Sequence, residues 1–175
     1  MLKKNIFIVV LLLFWVRIQA QEDNSVFQFL KIPFSSHAAA LGGENISIIE
    51  DDLTMAVHNP ALLSCVADKT LNLNYMLYIA GVNAASAAFS RVAGERSTWA
   101  VTAQFVNYGT MKETTSENVI IGTFSAKDMA FSGIYSYDLS DYWSGGVKAN
   151  LIYSNYEKFS SFAIGVDLGL NYYHQ

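Results

Sequence analysis

The sequence predicts an all-β chain: about six strands of an antiparallel up-and-down transmembrane β-barrel, preceded by a short N-terminal helical hatch. Three observations predict it. From residue 71 to 173 the chain repeats strands of about ten residues with apolar side chains on one face and polar ones on the other, a period of two. After the N-terminus no stretch offers the ~18 uncharged apolar residues that a membrane helix needs. Finally, only Lys148 and Asp167 interrupt strand interiors, and both fall on the polar face.

The first element is a leader. Lys3 and Lys4 precede an apolar run over residues 6–16, and Ile18-Gln19-Ala20 ends in a small residue, so residues 1–20 read as a signal peptide cut before Gln21. The alternative for this segment is an uncleaved anchor; in both cases the rest of the chain is exported. Removing residues 1–20 takes away Lys3, Lys4 and Arg17, which lowers the basic count from 11 to 8 against 15 acids. That balance argues against a nucleic-acid partner. Cys65 is the only cysteine, so neither an intrachain disulfide nor a thiolate metal cluster can form.

Residues 21–66 form the second element. Phe27, Phe29, Leu30, Ile32 and Phe34 open it, and Ser35 or Ser36 caps a brief helix through His37 to Leu41. Gly42-Gly43 stops that helix. A second short helix, residues 53–58, is capped by Asp51 or Asp52, and Pro60 ends or kinks it. Ala61, Leu62 and Leu63 follow as an apolar patch. Some 40 residues without a disulfide are too few for a core of their own, so the segment must pack on or inside something.

The strands come next, within residues 67–175. They are read at residues 70–79, 82–91, 98–108, 128–138, 143–154 and 161–173. The last is the clearest: Phe162, Ile164, Val166, Leu168, Leu170 and Tyr172 alternate with Ala163, Gly165, Asp167, Gly169 and Asn171. The second is ambiguous, with Ala on both faces. Residues 92–97 and 139–142 are short turns, whereas 109–127 reads as a long polar loop. A soluble sandwich would scatter Lys and Glu over its outer faces; the shortage of such charges favours a barrel. So do aromatics near strand ends, at Trp99, Tyr108, Tyr142, Trp143, Tyr153, Tyr172 and Tyr173, as interfacial girdles require. Six strands cannot close a membrane barrel, which starts at about eight. The expectation is therefore the first half of a longer protein.

The order FLKIPFSSHAAALGG, then DDLTMAVHNPALL, then alternating strands resembles the hatch and wall of the FadL-type outer-membrane barrels, in particular their PorV/PorQ branch, associated with the type IX secretion system of the Bacteroidetes. Asn59, Pro60 and Ala61 match the short hatch motif of that superfamily, and Gly42 and Gly43 match the stop of its Ala-rich helix. The resemblance implies a fourteen-stranded barrel in the outer membrane, without cofactor or metal. It also implies a non-enzymatic role in secreting or anchoring cargo at the cell surface, with other secretion-system proteins, including a peripheral surface partner, and outer-membrane lipid as partners. A second reading within the superfamily is a channel for uptake of hydrophobic small molecules, and a third, outside it, is a soluble periplasmic β-sandwich enzyme.

The residues that could carry chemistry offer little. His37, His58 and His174 share no ligand spacing. Glu50-Asp51-Asp52 suits the start of a helix. Leu62-Leu63-Ser64-Cys65 resembles a lipoprotein box but lies far from the leader, and reads as packing. Asn45-Ile46-Ser47 is a glycosylation sequon with no meaning in a bacterial chain. No serine is followed by lysine three residues on, no Gly-x-Ser-x-Gly elbow occurs, and Gly145-Gly146-Val147-Lys148 is a strand with small residues for tight packing rather than a phosphate loop.

Overall fold

The computed structural model describes residues 27–78, 81–114, 116, 119–157 and 159–173. The signal peptide over residues 1–20, Gln21, the turn at Ala80 and His174 lie outside them. The architecture is one antiparallel sheet in simple up-and-down order, β1 (Leu71–Leu77), β2 (Asn83–Val92), β3 (Ser97–Thr114), β4 (Ile120–Asp138), β5 (Trp143–Tyr156) and β6 (Phe159–Tyr172). The sheet is not closed: among the described residues the outer edges of β1 and β6 have no strand partner.

Alternation in the sequence becomes two unlike faces. Leu71, Leu73, Tyr75 and Leu77 of β1, Val101 of β3, Phe131 of β4, Leu151 of β5 and Ile164 to Leu170 at every second position of β6 all point outward and are exposed, Leu168 at 82%. The inward face is small and polar: Ala84, Ser86, Ala88 and Ser90 on β2, and Thr98, Ala100, Thr102 and Gln104 on β3, are all buried. The ambiguity of β2 is thereby settled. Its inward alanines leave room for the large side chains of the hatch, whose Phe29 packs with Ala84, Val106, Ala130 and Ile152. Phe34, Leu53 and Leu63 pack with Ala88, Ala100 and Ile134. Burying each such side chain is worth about 1.5–3 kcal/mol, which an isolated segment of this size could not collect.

Within the hatch, Ser35 caps α1 (Ser36–Ala40) by accepting the Ala38 N–H at 3.0 Å. Gly42 and Gly43 end it at φ +98° and +104°, a region a side chain disfavours. Two expectations for this segment need correction. The second helix is only a 3-10 turn, Met55–Val57, with Asp52 Oδ1 accepting the Thr54 N–H at 2.8 Å. Pro60 does not simply terminate it: Pro60 opens a further 3-10 turn, Pro60–Cys65, which contains the patch Ala61-Leu62-Leu63. The missing N–H of proline costs nothing at the first helical position.

Two corrections concern the strands. Most of the expected loop over 109–127 is strand, because β3 and β4 continue to pair from Thr110↔Ser125 to Thr114↔Ile120 beyond an irregularity at 107–110. Neither β2 nor β5 follows them, since β2 starts opposite Asn107 and β5 reaches only Ala126. A two-stranded ribbon therefore projects past the sheet. The other correction concerns two of the seven girdle aromatics, Tyr108 and Tyr173, which turn inward and bond to Asp128 and to the hatch respectively. Trp143 and Tyr172 do meet on the exterior, ring centroids 4.8 Å apart.

Candidate functional site

The place where hatch and wall are most closely fitted is the Asn59-Pro60-Ala61 turn. Asn59 is extended (φ −133°, ψ 104°), and its Oδ1 accepts the Ala61 N–H at 3.1 Å, capping the turn that Pro60 begins. Its Nδ2 donates to the Ile46 carbonyl at 2.9 Å, so one side chain ties two parts of the hatch. The turn sits on a notch formed by Gly146 of β5 and Gly169 of β6, which are register partners. A Cβ on Gly146 would collide with the Pro60 carbonyl group and Ala61 nitrogen, and one on Gly169 with Asn59 Oδ1 and the Pro60 ring. Only glycine lets these backbones approach so closely.

Around the notch the wall adds hydrogen bonds to hatch backbone, beside the one that Ser64 Oγ donates to the Ala61 carbonyl at 3.1 Å. Ser144 and Ser136 donate to the Ala61 carbonyl at 3.0 and 3.3 Å. The Tyr173 hydroxyl lies 2.9 Å from Ser64 Oγ, 3.0 Å from Cys65 Sγ and 3.0 Å from Ser144 Oγ. Further along, Ser86 donates to the Phe34 carbonyl and Gln104 to the Ile32 carbonyl at 3.2 Å. Lys148, expected on the polar face, donates to the Val57 carbonyl at 2.7 Å and pairs with Asp167 at 3.1 Å. Asp167 Oδ2 also accepts from Asn150 Nδ2 at 2.8 Å, and Asn150 Oδ1 accepts from Ser132 at 2.7 Å. Buried or half-buried polar side chains are thus committed to holding the hatch against the wall.

Between hatch and wall lies a cleft of about 370 Å³. Leu30, Ile32, Ile46 and Ile152 give it an apolar side, and Glu44, Lys148, Asp167 and the imidazole of His58 a polar one. His58 Nε2 is buried without a hydrogen-bond partner. Burial pushes the His58 pKa down from its usual value; Lys148 adds to this and Glu44 opposes it.

Of the residues singled out in the sequence, Asn59, Pro60 and Ala61 are brought together with the wall. Gly42 and Gly43 are not: they sit at the exposed end of α1, and nothing lies within 4 Å of where a Cβ would stand. His37 finds Asp52 at 2.6 Å through Nδ1 and Glu50 at 3.7 Å through Nε2. Among the described residues no three metal-ligating side chains converge. Gly169, Ser136, Ser144 and Tyr173 were not singled out as a docking surface. The usable signal in the sequence is small residues at paired inward positions on β5 and β6, Gly146 and Gly169 among them. No family model matches this chain, and no curated protein matches it.

Proposed function

We propose that this chain is part of the wall and hatch of a bacterial outer-membrane β-barrel, exported by its leader. We further propose that the barrel is a non-enzymatic component of a type IX secretion system, of the PorV/PorQ branch, that helps secrete or anchor cargo at the cell surface with a peripheral surface partner. The single observation that carries the membrane reading is the pairing of an exposed apolar exterior with a small, polar interior against which the hatch is bonded. In water that exterior would be costly, because large contiguous apolar patches are rare on soluble monomers. In lipid it is the ordinary outer face of a barrel. The open edges of β1 and β6 would need strands to pair them, since each unsatisfied backbone group in hydrocarbon costs several kcal/mol.

For secretion rather than uptake, support comes from the number of wall side chains spent on fixing the hatch, and from the family resemblance over nearly all of the exported chain. The cleft favours the second reading, a FadL-like channel for hydrophobic solutes, by its size alone. Its charged side is poorly matched to such a solute, which would have to desolvate Lys148 and Asp167. Deleting the gene and comparing surface-anchored secreted proteins with hydrophobic-solute uptake separates the two. Loss of surface cargo with normal uptake is expected; intact secretion with reduced uptake would overturn the secretion reading.

A further inference from the structure

At one end the apolar exterior stops at a sharp border. Asn83, Asn107, Lys127, Asn155 and Ser160 are successive register partners from β2 to β6, so five strands present a polar side chain at one level of the outward face. The next outward level holds Ala85, Phe105, Met129, Tyr153 and Phe162, and the one beyond it Ala87, Ala103, Phe131, Leu151 and Ile164. Alternation within a strand does not align such a change across five strands; a change of medium at that level does. Tyr75, level with Ala85, points its hydroxyl at the border and donates to Asn83 Oδ1 at 3.1 Å, as an interfacial aromatic does. Directly below the border lies a groove of about 450 Å³, floored by Ala85, Ala87 and Ala103 between Leu73 on one side and Phe131 on the other. Unlike Ala84 and Ala88, these alanines face away from the hatch, so the core makes no use of their small size.

The polar end of the groove is cationic. Lys127 is exposed and makes no hydrogen bond or ion pair among the described residues. Its neighbour Asn107 accepts the Gly109 N–H through Oδ1 at 3.0 Å, which leaves the amide nitrogen as a donor beside the ammonium. Lys112 stands further out on the same face, opposite Thr123, whereas Glu113 and Asp128 lie on the other face; among the described residues of β3 and β4 the outward side of the border carries two ammonium groups and no carboxylate. We propose that the groove seats one acyl chain of a membrane lipid whose anionic phosphate headgroup is held at the border by Lys127, with Asn107 as a second donor. This rests on the membrane reading of the exterior. The groove runs two levels below the border, about 14 Å along the strands at about 7 Å per level, which suits the upper part of one chain. A zwitterionic lipid fits the groove equally well but brings its own cation to Lys127, so the ammonium supplies a preference for the anionic lipid.

The test uses the full chain in phosphatidylcholine nanodiscs, with a trace of phosphatidylglycerol or of phosphatidylcholine carrying a nitroxide on its acyl chain. The methyl group of Met129, which lines the groove, is followed by NMR, with Met55, buried in the hatch, as the reference. Labelled phosphatidylglycerol should broaden Met129 about fivefold more than labelled phosphatidylcholine at equal mole fraction, the scale of one lysine at a lipid surface. Lys127→Gln, a change at an exposed side chain, should abolish that excess. Ala103→Leu, which fills the groove and leaves Lys127 in place, should abolish it as well. Equal broadening by the two lipids, or an excess that survives either substitution, would overturn the lipid site and leave the membrane reading standing. Broadening of Met129 by neither lipid would overturn both.

Discussion

Gly146 and Gly169 mark where hatch backbone touches wall backbone. Substituting either by alanine forces the Asn59–Ala61 turn to lift, and overpacking of this kind costs about 1–3 kcal/mol. We expect Gly169→Ala to leave the strands folded but to expose the hatch to limited proteolysis, whereas Gly165→Ala, where a Cβ meets only Asn150 at 3.5 Å or more, should not. A second residue-level prediction concerns pH. The hydrogen bond to Asp52 raises the pKa of His37 above its usual 6.5. Burial pushes the Asp52 carboxyl up, but the bonds from His37 and Thr54 outweigh it and leave the pKa below 3.8. The His37 contribution is therefore complete below pH 6.5 and lost as pH rises through its folded pKa. That of Asp52 is complete above pH 3.8 and lost as pH falls through its own. Amide protection factors in α1, corrected for the intrinsic pH dependence of exchange, should be highest between about pH 4 and 6.5, and His37→Asn should flatten that profile. The sequence did expose the chemistry of Asn59 and Pro60, a cap followed by a ring at the first helical position. It did not expose the notch beneath them, because a glycine in a strand looks the same whether it faces lipid, water or another backbone.

Among the elements, β3 and β4 differ most from what their sequence suggested. Residues 109–127 looked like a loop because they are rich in Thr, Ser and Glu and lack an apolar face. A ribbon with no partner on either side needs no apolar face, and its cross-strand hydrogen bonds leave no periodic signature in composition. At the base of this ribbon Asp128 is 1% exposed, and its Oδ2 accepts from Tyr108 and Tyr156, both at 2.7 Å. The two phenols thus tie β3 and β5 to a carboxylate on β4. Hydrogen bonds to a charged group are worth about 1.5–3 kcal/mol each, so Tyr108→Phe and Tyr156→Phe should each lower the urea midpoint of the micelle-folded protein. The double variant should cost more than the sum, since either phenol alone still satisfies the shared oxygen and only the double variant leaves the buried carboxylate without a donor. Equal midpoints for wild type and Tyr108→Phe would show that the carboxylate is satisfied in another way. Lys148 makes the corresponding link between wall and hatch, and Lys148→Met should loosen the Met55–Val57 turn while sparing the ribbon, as hydrogen exchange would report.

At the scale of the whole molecule, the sheet order, the faces of its strands and the presence of a hatch were legible in the sequence, since period-two alternation registers one-sided burial directly. What alternation cannot distinguish is the medium beyond the apolar face. The structure adds a second constraint: the inward face already has its core with the hatch, through Phe29, Phe34, Leu53 and Leu63, so the exterior does not need to fold inward to form one. An apolar face left over after the core is complete is the physical argument for lipid. The most direct test places single spin labels along β6 in the Cys65→Ser background, at 163, 164, 165, 166, 167 and 168, with the full chain reconstituted in bilayers. Positions 164, 166 and 168 should be accessible to oxygen and shielded from a water-soluble nickel chelate, and 163, 165 and 167 the reverse or occluded from both. Equal access of the nickel chelate to the label at 166 and the label at 167 would contradict the membrane reading.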